Sequence, residues 1–318
     1  MKITIPDKLP FLESICWQTA DVYQFTPEEM LGCYERGWRY RDTFNNLEDQ
    51  ELIFLTELAK NYNSWLLPLL MTFRFDFHNK ILKVLESLNT ELLANNYTYF
   101  GGGTLITLDY GEYRWSQDID FISPFSTSGY KHLRTMILDG GYQALFRDFS
   151  KIEVTRGTTD QYGIRMMLVV DEVAIKTEII AESRFELDPP RYPEWSPVPC
   201  LSINDCFTSK LLANSDRFMD DNVKARDLID LAIMRLKYPI PQLAIAKAEN
   251  AYEVVRPLKI AIERFQGRND FRENCFSALQ IESSQIPIIL DGIDLLAADF
   301  DLCLMERTFK EQHDIFDL

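Results

Sequence analysis

The chain is poor in basic charge: 33 Lys and Arg stand against 49 Asp and Glu in 318 residues, a formal charge of -16. That balance opposes broad adhesion to phosphate backbones and confines any nucleic-acid contact to a local patch. Histidine is scarce, and His78, His132 and His313 are too scattered to suggest a triad or a His-rich metal site. The six cysteines, at 16, 33, 200, 206, 275 and 303, form no C-x-x-C pair and no dense framework, which reads as reduced, packed thiols in a cytoplasmic protein. Long apolar runs are missing, since Pro68 breaks Trp65–Phe73 and four aspartates interrupt Ile286–Met305. No membrane span is expected. The amino terminus, Met1 to Pro6 followed by Asp7, lacks a basic patch leading into an apolar core, so no export is expected.

What is present is 46% hydrophobic and 13% aromatic content, enough for a globular chain of one large or two to three small domains. With so few histidines, chemistry is expected to rest on carboxylates and lysines. Residues 1–95 read as a helical region, with Thr26-Pro27-Glu28-Glu29 as N-cap, first-turn proline and capping-box glutamate of a helix running to about residue 41. Phe77, Ile81, Val84, Leu85, Leu88 and Leu92 are spaced as one helix over 75–93. From 96 to 187 the texture turns to short β-runs at 97–100, 118–122, 151–155, 164–170 and 173–180. A helix at 129–138 and a hairpin at Asp171-Glu172 make this a mixed α/β unit. Five prolines between 188 and 199 mark an extended connector, and 200–318 read as a C-terminal helical domain.

The strongest local feature is Phe100-Gly101-Gly102-Gly103-Thr104, followed by Arg114-Trp115-Ser116-Gln117-Asp118-Ile119-Asp120. Glycines leaving a strand let backbone N–H groups approach an anion, and a helix start adds favourable partial charge, so this is a candidate phosphate cradle or simply a tight strand-to-helix turn. Strand alternation puts Asp118 and Asp120 on one face, where like charges repel unless a hard cation such as Mg²⁺ lies between them. The competing reading is a solvated strand face. Glu178 could complete a two-metal site, or could pair with Lys176 on the same face of its strand. Lys210 and Arg217 share a helix stripe. Asp227 and Asp230, after Arg226, share another.

The ordered set Gly102-Gly103-Thr104; Arg114, Ser116, Asp118 and Asp120; Lys176 and Glu178; Lys210, Ala213 and Arg217; then Arg226, Asp227 and Asp230 resembles the AbiEii/AbiGii abortive-infection family of nucleotidyltransferase toxins over about residues 75–236. Two features depart from the family pattern: Asp220-Asp221-Asn222 lengthen the interval before Arg226, and the third carboxylate is Glu rather than the commoner Asp.

The resemblance implies an α+β fold, with a polymerase-β-like nucleotidyltransferase core and mixed β-sheet flanked by N-terminal and C-terminal helical regions. It also implies an NTP co-substrate, two Mg²⁺ ions and the toxin role in a two-component toxin–antitoxin system, with a cognate antitoxin as partner. Some relatives modify the acceptor end of tRNA and others are linked to GTP use, so tRNA or another RNA is the expected acceptor. Asp118, Asp120 and Glu178 become the expected metal ligands. Lys210 and Asp227 join them as catalytic candidates, and Gly102, Gly103, Thr104, Arg114, Ser116, Lys176, Arg217, Arg226 and Asp230 are nucleotide-binding candidates. The alternatives are transfer to a small molecule or protein, and an inactive binding protein of the same fold.

Overall fold

The structure, a computed structural model, describes residues 3–44, 46–70 and 73–305; Met1, Lys2 and His313 lie outside the described residues. The chain divides into two compact units, Met1–Thr72 and Phe73–Leu318.

The first unit contains α1 (Pro10–Ile15), α2 (Pro27–Gly37), α3 (Arg41–Phe44), α4 (Asp49–Asn61) and α5 (Leu67–Leu70). The capping box expected at Thr26 forms, with Glu29 at its third position and Pro27 in the first turn. The helix stops at Gly37, short of 41, and continues as a 3₁₀ turn over Trp38–Tyr40. Buried Glu51 accepts the backbone N–H groups of Phe11 and Leu12 and the Tyr34 hydroxyl, tying α1 and α2 to α4.

The second unit opens with α6 (Asp76–Ser87) and α7 (Thr90–Asn95), where periodicity predicts one helix. The break has a local cause: Leu88 is extended, and the Asn89 side chain accepts the N–H of Leu92 as an N-cap, so cap chemistry overrides the apolar repeat. There follow β1 (Tyr99–Gly101), α8 (Gly102–Asp109), β2 (Ile119–Pro124), α9 (Gly129–Gly140), β3 (Glu153–Thr159), β4 (Gly163–Val170) and β5 (Val173–Glu182). They form a five-stranded mixed sheet in the order β1-β2-β5-β4-β3, in which only the β2–β5 pairing is parallel. Asp171 and Glu172 form the expected hairpin turn with φ of 46° and 64°, the left-handed pair whose twist matches the flanking strands.

The Pro-rich segment runs alongside β1: the Phe100 N–H donates to Pro199 O, and Leu201 N–H donates to Phe100 O. Beyond it come α10 (Ile203–Arg217), α11 (Arg226–Lys237), α12 (Gln242–Glu249), α13 (Val255–Gly267), α14 (Asn269–Ala278) and α15 (Ile286–Asp299). Side chains of the sheet, of α8 and of α10–α15 share one apolar core, including Phe100, Phe121, Ile179, Phe207, Leu228 and Ile293. The sheet and these helices are thereby fixed to each other, which sets the geometry of the cavity between them. All six cysteines are free thiols.

Candidate active site

A cavity of about 620 Å³ opens over β2 and β5, closed by the α8 N-terminus, by α10, by the start of α11 and by the end of α14. Gly102 and Gly103 sit at its edge for a steric reason. Gly102 has φ of 71°, and a Cβ there would lie 2.4 Å from Oδ2 of Asp120; a Cβ on Gly103 would lie 2.3 Å from a guanidinium nitrogen of Arg114. The glycines therefore let a carboxylate and a guanidinium pack directly against the turn, with the first N–H groups of α8 beside them. Thr104 is almost fully buried, and its hydroxyl is engaged by Ser116 Oγ at 2.7 Å and by the carbonyl oxygen of Asp118.

Alternation from Asp118 into β2 buries Ile119 and Phe121 and turns half-buried Asp118 and Asp120 toward the cavity. The parallel register places Asp120 directly beside Glu178 of β5, so three carboxylates converge from two strands. Burial pushes the Asp120 carboxyl up to about 6, and the Asp118 and Glu178 charges push in the same direction. Glu178 is the one that is neutralised, by Lys176 at 2.7 Å and Arg165 at 3.4 Å. Both readings of Lys176 and Glu178 hold at once: they pair, and both line the cavity. Among the described residues Asp118 and Asp120 make no side-chain hydrogen bond or ion pair, and no group of three or more acidic, His or Cys side chains is arranged to hold a metal ion. The donor set that fits a hard divalent cation is therefore the Asp118/Asp120 pair, with Glu178 already occupied by two cationic side chains.

Opposite the carboxylates stand cations. Lys210 Nζ lies 3.0 Å from Oδ1 of Asp227 and 2.6 Å from Oδ2 of Asp230. Arg217 pairs with Asp227 at 2.7 Å, and Arg114 with Asp230 at 2.6 Å. Asp227 and Asp230 are buried and do not line the cavity; they hold the three cations that do. Burial alone would raise both aspartates, but Lys210 and Arg217 hold Asp227 well below the usual carboxylate range, and Arg114 and Lys210 hold Asp230 down. Arg226 also lines the cavity, without ion pair or hydrogen bond among the described residues. It follows two residues in left-handed conformation, Lys224 at φ 58° and Ala225 at φ 50°, a strained turn that ends the segment lengthened by Asp220-Asp221-Asn222.

The far wall was not anticipated from sequence. Ile122 and Ile180, paired across β2 and β5, extend the cavity face beyond Asp120 and Glu178, a position that period-two alternation could have supplied. Arg184 lies at that end too, bound to Glu182 at 2.7 Å and to Asp216 at 3.2 Å; no motif signals it.

Residues 83–302 match the family model of the nucleotidyl transferase AbiEii toxin, type IV toxin–antitoxin system. Among solved structures, a candidate nucleotidyltransferase from H. pylori matches with TM-score 0.42 and 18% identity, covering 70% of this chain and 92% of that one. The JHP933 protein of Helicobacter pylori matches with TM-score 0.42 and 19% identity, covering 71% and 93%. No curated protein matches the chain. With more than half its length matched by the family model, the chain belongs to the AbiEii family of nucleotidyltransferase toxins.

Proposed function

We propose that this toxin transfers a nucleotidyl group from an NTP to a hydroxyl of RNA, with tRNA as the favoured acceptor, and that Mg²⁺ is held by Asp118 and Asp120. The observation that carries the reading is the opposition across one cavity of under-neutralised carboxylates, Asp118 and Asp120, and a cationic wall of Lys210, Arg217 and Arg226. That is the charge pattern suited to a metal-bound triphosphate.

The acceptor oxygen forms a bond to the α-phosphorus as the bond from that phosphorus to the bridging oxygen breaks, and pyrophosphate leaves. Bound Mg²⁺ would offset negative charge on the transferring phosphoryl group. The chain's own residues do the rest. The α8 N–H groups at Gly102 and Gly103 take the terminal phosphates, and Arg226, without ion pair or hydrogen bond among the described residues, reaches the same oxygens. Lys210 and Arg217 contribute positive potential from their anchored positions. Glu178 accepts the acceptor hydroxyl's proton or helps hold a second ion once Lys176 shifts to the ligand. Arg114, Ser116, Thr104, Asp227 and Asp230 hold these groups in place. In this reading, residues 96–187 are the nucleotidyltransferase core, 188–199 the connector, and 1–95 and 200–318 the helical flanks. The cognate antitoxin is the expected protein partner.

The test is incubation of the purified chain with each α-labelled NTP, Mg²⁺ and total tRNA. Label on tRNA, lost with EDTA, is expected, and tRNA binding should weaken steeply with salt. Label appearing only on protein or on a small molecule would overturn the RNA acceptor. No label with any NTP would overturn the transfer reading.

A further inference from the structure

One buried ionisable pair lies outside the machinery described so far. His78, on α6, is fully buried, and both its ring nitrogens face groups that accept: Nδ1 lies 2.6 Å from Oε1 of Glu112, and Nε2 lies 3.0 Å from the backbone carbonyl oxygen of Ser116. A carbonyl oxygen and a carboxylate can only accept, so a proton must lie on each line. On the Glu112 side the proton belongs to the ring. The Glu112 carboxylate also receives the backbone N–H groups of Arg74 and Phe75, which favours its ionised form. Burial pushes Glu112 up, but the His78 contact and those two N–H groups bring it below its ordinary value.

The contact on the other side leads to the carboxylate strand. The Thr104 hydroxyl reaches Asp118 O, which only accepts, so its single proton goes there and the Ser116 hydroxyl donates to Thr104 Oγ1. Two sets of hydrogen bonds, joined covalently at Ser116 between its carbonyl and its hydroxyl, thus link Glu112, His78, Ser116, Thr104 and the backbone of Asp118, tying α6 to the entry of β2.

We propose that a doubly protonated His78, clamped by Glu112, is a positioning residue for the active site: it fixes the Ser116 carbonyl and, through Ser116 and Thr104, the backbone that aims Asp118. The proposal rests on the reading of Asp118 as an ion-holding residue. Its surroundings suit a buried charge. Trp115, a cavity-lining residue, stacks on the imidazole at 5.5 Å and 25°, and the Phe73 and Phe75 rings stand edge-on to it. The charged groups near the pair are Glu112 itself and Arg74, whose guanidinium donates to Glu112 O and pairs with Glu282 at 2.7 Å.

Three measurements test it on the whole chain. Nitrogen-15 NMR of the imidazoles at pH 7.5, with His78 assigned by its disappearance in His78→Gln, should show protons on both ring nitrogens. A His78 with one proton overturns the clamp. In parallel, His78→Gln keeps one donor and the approximate volume but not the charge; kcat for nucleotidyl transfer should fall at least tenfold with KM for NTP within twofold. A folded His78→Gln with unchanged kcat overturns the positioning role. If that variant does not fold, Thr104→Val cuts the same linkage, with the same expected and overturning results. Absence of transfer in the wild-type chain would instead remove the reading of the site. The NMR result then decides whether the clamp exists, and the Mg²⁺-induced rise in Tm, expected to shrink at least twofold in His78→Gln or Thr104→Val, decides whether it aims Asp118; an unchanged rise overturns the proposal.

Discussion

Asp118 at the entry of β2 with Asp120 on it, and Asp227 and Asp230 on α11, are the same two side chains placed by two periodicities, yet they reach opposite states. On the strand, i,i+2 spacing turns both carboxylates to one face, where the nearest partner in register is a third carboxylate, Glu178. On the helix, i,i+3 spacing turns both toward α10, where Lys210 and Arg217 are two turns apart, and Arg114 closes the group from the loop before β2. Burial pushes Asp120, Asp227 and Asp230 in the same direction, so the difference among these three lies in the cations. Among the described residues three serve the helix pair, while the strand pair has none in hydrogen-bonding contact. Asp120 is accordingly driven up to about 6 while Asp227 is held well below the usual range. The helix pair is internally complete. In the proposed reading, the strand pair is left for a cation from solution.

The largest expected effect breaks the comparison on the strand side. Asp118→Ala or Asp120→Ala should lower nucleotidyl transfer by about 10³-fold or more, the scale of losing metal-based charge stabilisation, with the folded state retained. Turnover within tenfold of wild type in a folded Asp118→Ala/Asp120→Ala double variant would show that these carboxylates hold no catalytic ion.

On the helix side the same change should act through stability. Asp230→Ala leaves Arg114 and Lys210 buried without their shared partner, a cost of about 3–5 kcal/mol on the scale of broken buried ion pairs, readable by urea unfolding. The pH dependence has a definite sign. Because the folded-state values of Asp227 and Asp230 lie below the unfolded carboxylate value near 3.8, their contribution is present above that value and is lost as pH falls below it, toward the folded values. Asp227→Asn and Asp230→Asn should therefore flatten the wild-type loss of stability between about pH 4 and 2. An acid limb identical to wild type would mean that these aspartates are not held down.

Arg226 offers a smaller effect. With no partner among the described residues, its removal should leave Tm unchanged and raise KM for NTP about tenfold, a charge-assisted hydrogen bond's worth. A destabilised Arg226→Ala would show instead that the residue serves the strained turn at Lys224 and Ala225.

Much of this contrast was legible before folding was considered, and the rest was not, for identifiable reasons. The Asp171-Glu172 hairpin and the shared face of Asp118 and Asp120 follow from local rules and appear where expected; the five β-runs all overlap strands, but those at 97–100 and 151–155 are shifted to Tyr99–Gly101 and Glu153–Thr159. Apolar spacing alone joins α6 and α7 into one helix, although Asn89 carries the cap signal that separates them. Ion-pair assignments could not be read, because helix spacing puts Lys210, Arg217, Asp227 and Asp230 on facing stripes without choosing partners. The partner choice needs α8, α10 and α11 packed together, bringing Arg114 against Asp230 across 116 positions of sequence. His78 and Glu112, 34 residues apart and outside every motif, had no sequence signal at all.

The smallest expected effect sharpens the comparison most, since it asks whether the strand pair waits for a cation or merely tolerates repulsion. Asp120→Asn removes one of three adjacent negative charges while keeping shape. Without divalent ions it should raise Tm by about 2–4 °C, corresponding to relief of about 1 kcal/mol in a unit of this size. Adding Mg²⁺ should reverse the order. A cation that binds only the folded state stabilises by RT ln(1 + [L]/Kd), so at a concentration 100 times Kd the wild type should gain about 2.7 kcal/mol, while the variant gains much less. Melting curves of both proteins with EDTA and with Mg²⁺ read the two effects separately. Parallel shifts in wild type and variant would place the cation elsewhere. A variant less stable than wild type in EDTA would mean that Asp120 is already compensated inside the fold, as Asp227 and Asp230 are, and the distinction between the two pairs would fail.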